Sequence, residues 1–500
     1  MAATGSASSE LPHGSTTTER NNPMSAMMSL HHTAEAQDEA CRIFALQRAA
    51  VQQQGAPTYQ ERMAALEALF GSVKQHRHEL AASICADFGN RSSAETDFGE
   101  IMPVLNSIKH ARKHLKGWMK PVRRSVGMAF RPASARIVYQ PLGVVGVLAP
   151  WNYPLTLTLV PLVEALAAGN RVMIKPSELT PSTSKLLAAL LSKIFPEDRV
   201  AVILGGSDVA GRFSTLPFDH LFFTGSTSVG RSVMTAASAN LTPVTLELGG
   251  KSPVVVCRDY PLKKAARLIA IGKLFNGGQS CVAPDYVLAP EDQVDAFAKA
   301  FLEAAAEMYP RVAGNADYTS VISDRHHRRL VDMIEDARSA GARVLQHDDT
   351  RAAGERKVPP TVLLGVPTNA MAMREEIFGP ILPVIGYRDI QQAIELINAR
   401  PKPLALYCFS NDHRAIDAVL DNTRSGGVTV NGTLLHATQE DLPFGGVGES
   451  GTGAYHGRDG FIRLSHARGV MTLSPFNKSD LVAAPYGKLS RFVARLFLGN

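Results

Sequence analysis

The chain has 500 residues, is 45% hydrophobic, and carries a formal charge of +6 with a pI of about 9.0. That length holds two or three packed domains, and no apolar run is long enough for a membrane-spanning helix. The five cysteines (Cys41, Cys85, Cys257, Cys281 and Cys408) match neither a disulfide framework nor a zinc pattern, so no metal is expected and a reducing cytoplasm fits best.

Residues 1–33 are rich in Ser, Thr, Asn and Ala, lack a signal-peptide apolar region, and read as a disordered tail. Thr58 and Glu61 have capping-box spacing, and Met63, Leu66, Phe70 and Val73 then recur as one buried helical stripe. A second helical stretch runs from Glu95 to Trp118. It contributes to a basic run, Lys109, Arg112, Lys113, Lys116, Lys120, Arg123 and Arg124, with no acid among them. Without a reader motif this is a solvated helix face rather than a nucleic-acid site. Between Val122 and Tyr139 the texture turns extended, as for a hairpin arm.

From Gly143 the pattern alternates. Strands are expected at Gly143–Ala149, Arg171–Ile174, Val200–Leu204 and Leu221–Thr224, with helices at Leu155–Ala168, Pro181–Phe195 and Val229–Ala239. Such alternation describes a doubly wound parallel sheet, which binds nucleotides at the carboxyl ends of its strands. A second series follows: strands at Pro253–Cys257, Tyr286–Ala289, Ala342–Leu345 and Pro383–Tyr387, helices at Leu262–Phe275 and Gln293–Met308. The fold class is therefore α/β, with two doubly wound domains and a small β arm. Near the C-terminus Leu489, Phe492, Val493, Leu496 and Phe497 form an apolar stripe, with Lys488, Arg491 and Arg495 off it. This is an amphipathic basic helix. Packing onto the enzyme body is the expected use, and membrane-surface contact the alternative.

Several segments carry chemistry. In Phe223-Thr224-Gly225-Ser226-Thr227-Ser228-Val229-Gly230 a strand ends in a turn that opens a helix, whose free N–H groups suit a phosphate. Alone, the spacing of Gly225 and Gly230 also suits an ordinary strand-to-helix turn. Lys175 and Glu178 lie just past an inner strand, where a ribose would sit; the carboxylate there disfavours a 2′-phosphate. Otherwise they are loop residues. Cys281, flanked by Gly277, Gly278, Ser280 and Pro284, has the setting of a loop nucleophile, whereas Cys257 and Cys408 lie in apolar strands. Glu247, inside an apolar run, is a desolvated candidate base, or else the ion-pair partner of Lys251. Asn152, in Pro150-Trp151-Asn152, offers an amide to a developing oxyanion, or is a turn residue before proline.

Together these segments resemble the aldehyde dehydrogenase superfamily, from about Thr58 to Leu473. The likeness adds Glu375-Glu376-Ile377-Phe378-Gly379-Pro380 and Pro443-Phe444-Gly445-Gly446, in the family's order. Cys281-Val282-Ala283-Pro284 and Gly453-Ala454-Tyr455-His456-Gly457 are similar to the class 3 branch. Glu100-Ile101-Met102-Pro103-Val104 and the basic run after it resemble its bacterial coniferyl aldehyde dehydrogenases.

The resemblance implies oxidation of an aldehyde to the acid through a thioester on Cys281. It makes Glu247 the base that activates water, and Asn152 with the Cys281 backbone N–H the oxyanion hole. It assigns Trp151, Lys175, Gly225, Ser226, Gly230, Glu376 and Phe378 to NAD, with NADP the alternative, and Glu178 joins them from its place beside Lys175. It also implies a homodimer. The expected division is 34–121 with 141–245 for the cofactor, 246–428 for catalysis, 122–140 with 429–470 for the oligomerisation arm, and 471–500 for the tail. The rival activities are a CoA-acylating dehydrogenase and a cysteine hydrolase.

Overall fold

A computed structural model describes residues 23–347, 355–476 and 483–499. Its first helix, Pro23–Gln54, corrects the expected tail: residues 23–33 are helical, and residues 1–22 lie outside the described residues. Met, Ala and Leu are strong helix formers, and they carry the helix back from its docked half. There Gln47 Nε2 donates to the carbonyls of Val172 (3.1 Å) and Glu197 (2.9 Å), and Arg48 pairs with Asp219 at 2.9 Å. The capping box is present: Thr58 and Glu61 satisfy each other at the start of helix Tyr59–Gln75.

Sixteen strands are described, all in three sheets. The smallest joins β1 (Val122–Arg124), β2 (Ser134–Pro141) and β16 (Ser465–Thr472), all antiparallel. The hairpin expected at Val122–Tyr139 thus gains a third strand from far along the chain, and β16 leaves an eight-residue edge.

The second sheet holds β3 (Val144–Leu148), β4 (Arg171–Lys175), β5 (Val200–Val202), β6 (His220–Gly225) and β7 (Val244–Leu248), closed by β15 (Gly451–Thr452). Its order is β15-β7-β6-β3-β4-β5, parallel except for β15. Strand succession reverses between β3 and β6, which opens a crevice at their carboxyl ends. These strands are buried on both faces and read as continuous apolar runs. The chain also forms a helix at Ser207–Ser214 that its polar sequence did not announce.

The third sheet comprises β8 (Pro253–Val256), β9 (Tyr286–Pro290), β10 (Arg343–Gln346), β11 (Thr361–Leu364), β12 (Ile381–Tyr387), β13 (Ala405–Phe409) and β14 (Gly427–Val430). The order is β10-β11-β12-β9-β8-β13-β14, with only β10 antiparallel. Segment 429–470 is not all arm: β14 belongs to this sheet and β15 to the second.

The basic run is a solvated face: Arg112 pairs with Glu67 at 2.9 Å and lies over Phe70. The C-terminal helix forms at Lys488–Leu498, but none of its residues is buried, which overturns the expectation that it packs on the body. Among the described residues no helix is long and apolar enough to cross a membrane, and no side-chain cluster could hold a metal.

Candidate active site

The site forms where the carboxyl ends of the second sheet meet the segments that precede strands of the third. Four segments converge: 150–153 after β3, 247–252 between β7 and β8, 276–285 before β9, and 375–380 before β12.

The cysteine loop is built first. Helix Leu262–Leu274 ends, and Asn276 (φ 55°), Gly277 (φ 59°) and Gly278 (φ 78°) all take the left-handed conformation. A Cβ on Gly278 would run into the Gly379 carbonyl, so only glycine lets the loop press against the 375–380 segment. Buried Asn276 is the fastener. Its backbone N–H donates to Glu95 Oε1 (2.6 Å), and its amide donates to the carbonyls of Gln279 and Asn152, both at 3.0 Å. Gln279 bonds the Asn276 and Ser320 carbonyls and accepts from Ile322 N–H. Cys281, half-buried, thereby sits on a loop tied to the Asn152 turn.

A buried arginine holds the other side. Arg91 lies over Phe88 and Tyr153, pairs with Glu100 at 3.0 Å, and donates to the Asn152 carbonyl at 3.3 Å. Glu100 in turn accepts from Leu155 N–H (3.1 Å) and Thr156 N–H (2.8 Å), donors at the start of helix Thr156–Ala168 that have no partner within the helix. The Asn152 backbone is thus fixed twice, and its side-chain amide has no partner among the described residues. The sequence assigns no role to Arg91 or Glu95, and shows Asn276 only as the start of the Cys281 loop.

Glu247 sits in β7 opposite Thr224 and Gly451, 1% exposed, with neither carboxylate oxygen hydrogen-bonded. Burial alone pushes its pKa well above the usual carboxylate range. Burial also pushes the Cys281 thiol up, and the nearby carboxylates of Glu247 and then Glu376 push it further. Lys251 is not the partner of Glu247: it bonds Asp285 and the carbonyls of Ala372 and Glu375, both at 2.8 Å. Asp285 also accepts from Ile377 N–H at 2.9 Å, so this pair anchors the 375–380 segment.

On that segment Glu376 lies so close to Gly249 that a side chain there would overlap its carboxylate. Burial, then Asp285, raises Glu376 to about 8, and its Oε1 is buried without a partner. Phe378 is held at φ 53°, with its ring edge-on to Trp151 at 5.4 Å.

The cofactor candidates line the carboxyl edge of the second sheet. Lys175 ends β4 in register with Leu148 of β3. Its buried ammonium donates to Pro176 O (2.7 Å) and lies 3.7 Å from exposed Glu178; burial lowers its pKa, opposed by Glu178. Ser226 is the N-cap of helix Thr227–Ser238, accepting from Val229 N–H at 3.4 Å. A Cβ on Gly230 would meet Leu248 at 2.7 Å, so this glycine serves helix–strand packing. Open helix N–H groups, a buried ammonium and an unpartnered carboxylate oxygen form a donor and acceptor set that fits a phosphate- and hydroxyl-bearing cofactor.

Comparison with known proteins agrees with this geometry. The aldehyde dehydrogenase family profile matches residues 11–470. The chain therefore belongs to the aldehyde dehydrogenase family, and is an NAD(P)-dependent enzyme of it. Among individual relatives, a Pseudomonas aeruginosa protein named "Probable coniferyl aldehyde dehydrogenase" is 52% identical over 91% of this chain and 96% of its own. A coniferyl aldehyde dehydrogenase of a Pseudomonas species is 44% identical over 87% of this chain and 91% of its own. The substrate-bound state of Staphylococcus aureus AldH superimposes with a TM-score of 0.86 at 36% identity, covering 91% of this chain and 99% of that one.

Proposed function

We propose that this enzyme oxidises coniferyl aldehyde or a related aromatic aldehyde to its acid, with Cys281 as nucleophile. The observation that carries the assignment of roles is the Asn276 amide. It ties the Asn152 turn to the Cys281 loop while Glu247 acts electrostatically on the same thiol. Cys281 releases its thiol proton to solvent water and attacks the aldehyde carbon as the thiolate, and the Asn152 amide with the Cys281 backbone N–H holds the oxyanion. Glu247, with high proton affinity and no competing bond, takes the proton from the water that releases the acid. Trp151, Lys175, Glu178, Gly225, Ser226, Glu376 and Phe378 would hold NAD(P)⁺, with Gly230 letting their helix seat on the sheet. Bound there, the cofactor supplies the hydride acceptor.

The coniferyl substrate rests on the two Pseudomonas relatives. Glu178 at the ribose end favours NAD over NADP. The free edge of β16 supports a homodimer that continues the arm sheet, because a long unpaired edge seeks a partner strand. Sedimentation as a monomer at micromolar concentration would remove that part. Five unpaired cysteines support a cytoplasmic location. Formation of NADH from coniferyl aldehyde without added CoA tests the main reading; strict dependence on CoA would replace it with the acylating activity.

A further inference from the structure

The C-terminal helix Lys488–Leu498 leaves its apolar side uncovered. Leu489, Phe492, Leu496 and Phe497 are 58%, 63%, 68% and 61% exposed. At 100° per residue these four and Val493 fall within an arc of about 140°. Lys488, Arg491 and Arg495 occupy the other side, within about 60° of one another. Leading into the helix, Tyr486 is 64% exposed, and residues 483–499 contain no acidic side chain.

An apolar stripe of this kind does not persist in water without a use. Its own enzyme body does not cover it, since no residue of the helix is buried. A second copy is a poor occupant: two such helices would bring six cations together with no carboxylate between them. A surface with anionic headgroups above an apolar interior matches both faces at once. The stripe enters the acyl boundary, and the flanking Lys488 and Arg495 reach the phosphates.

We propose that this helix docks the enzyme on anionic phospholipid bilayers, lying in the interface plane as a peripheral anchor. Each cation near such a surface strengthens binding about fivefold, so the three together account for a factor on the order of 100. The apolar stripe supplies the remainder. Binding is reversible and weakens with salt, because the electrostatic part is screened.

The test uses the full chain with large unilamellar vesicles, either phosphatidylglycerol with phosphatidylethanolamine or phosphatidylcholine alone. The enzyme is expected to co-sediment with the anionic vesicles and to be released by high salt. Lys488→Gln/Arg491→Gln/Arg495→Gln should weaken this partition on the order of 100-fold. Phe492→Asp/Leu496→Asp should abolish it. Both variants should keep the parent's aldehyde oxidation rate in solution, which verifies their fold. Equal partition into phosphatidylcholine overturns the proposal, as does failure to sediment with either vesicle. So does a vesicle-free oligomer larger than that of Phe492→Asp/Leu496→Asp, because it would show the stripe covered by another copy.

Discussion

Replacing Glu247 by Gln separates what this carboxyl does for the reaction from what it does to the fold. In the unfolded chain the group titrates near 4.5, whereas in the fold burial raises it well above that. Between those two values the folded state binds more protons than the unfolded state, so the parent loses stability as pH rises through the window. The slope is about 1.4 kcal/mol per pH unit, and the loss levels off once the pH passes the folded pKa. Gln binds no proton and lacks the slope. Its amide fills the same space, and its polar atoms are as unpartnered as those of the protonated acid. The stability difference should therefore be small near pH 4.5 and grow in favour of Gln by about 1.4 kcal/mol per unit above it. For a chain of this size that is a difference in Tm of about 1–2 °C for each pH unit. Thermal scans of both proteins from about pH 5 to pH 9 read it directly. Parallel Tm curves across that range would show that Glu247 titrates alike in both states, and the account of its burial would be wrong.

The same variant should accumulate acyl-enzyme, with turnover about 10²–10⁴-fold slower once the base is gone. Intact mass spectrometry after mixing with aldehyde and cofactor should find the acyl group on Cys281. In the parent, turnover should rise with pH toward the elevated pKa of Glu247, because only its ionised form accepts a proton. An Glu247→Gln enzyme that turns over freely with no trapped adduct would transfer the role to another group.

Five further substitutions probe the rest of the site. Cys281→Ala should abolish turnover and leave cofactor binding intact by fluorescence titration; retained oxidation would remove the nucleophile assignment. Asn152→Ala should lower kcat by about 10²–10³-fold with little change in KM, since the amide is expected to act on the oxyanion rather than on bound aldehyde. Arg91→Met leaves the buried carboxyls of Glu95 and Glu100 without their cation, at a cost of about 3–5 kcal/mol. Adding Glu100→Gln should recover part of the lost Tm, and no recovery would mean that the pair is not what holds the Asn152 turn. Glu178→Ala should raise kcat/KM for NADP relative to NAD by about tenfold, the equivalent of 1.4 kcal/mol; an unchanged ratio would place specificity elsewhere.

What could be read from the sequence divides by the range of the interactions involved. β3, β4 and β6 announce themselves because both faces of each strand are buried, so their whole length is apolar. The Thr58 capping box and the amphipathic helix at 488–498 are equally local. Helix Pro23–Gln54 docks through Ala40 and Ile43 on the second sheet's core, and through Gln47 and Arg48, whose partners stand 125 to 171 residues away, so its place is set by long-range contacts. The third strand of the arm is a pairing between Ser465 and Pro141 that no local pattern encodes. In the site, Cys281, Glu247 and Asn152 stand out as residues at odds with their neighbours: a thiol among glycines, an acid in an apolar strand, an amide between a strand and a proline. Arg91, Asn276 and Asp285 have no such contrast. Each works by bonding a backbone group brought near by the fold, and that relation exists only in three dimensions.

The candidate site residues lie at the carboxyl ends of parallel strands in one sheet and before the amino ends of strands in the other, for a reason visible in the chain path. β7 ends at Leu248 and β8 begins at Pro253, so the chain steps from the carboxyl edge of one sheet to the amino edge of the next in four residues. Cys281 precedes β9 and Glu376 precedes β12, both at that amino edge. Lys175, Ser226 and Glu247 come from the carboxyl edge of the other sheet. The second sheet thus offers helix N-termini and an ammonium for phosphates and hydroxyls. The third offers strand-entry loops, where left-handed residues such as Asn276 and Phe378 set side chains at angles that a regular strand cannot reach. A nucleophile that must meet a cofactor held by a different sheet needs this apposition of opposite edges. Lengthening the 249–252 link would separate them, and should impair catalysis before it impairs the folding of either sheet.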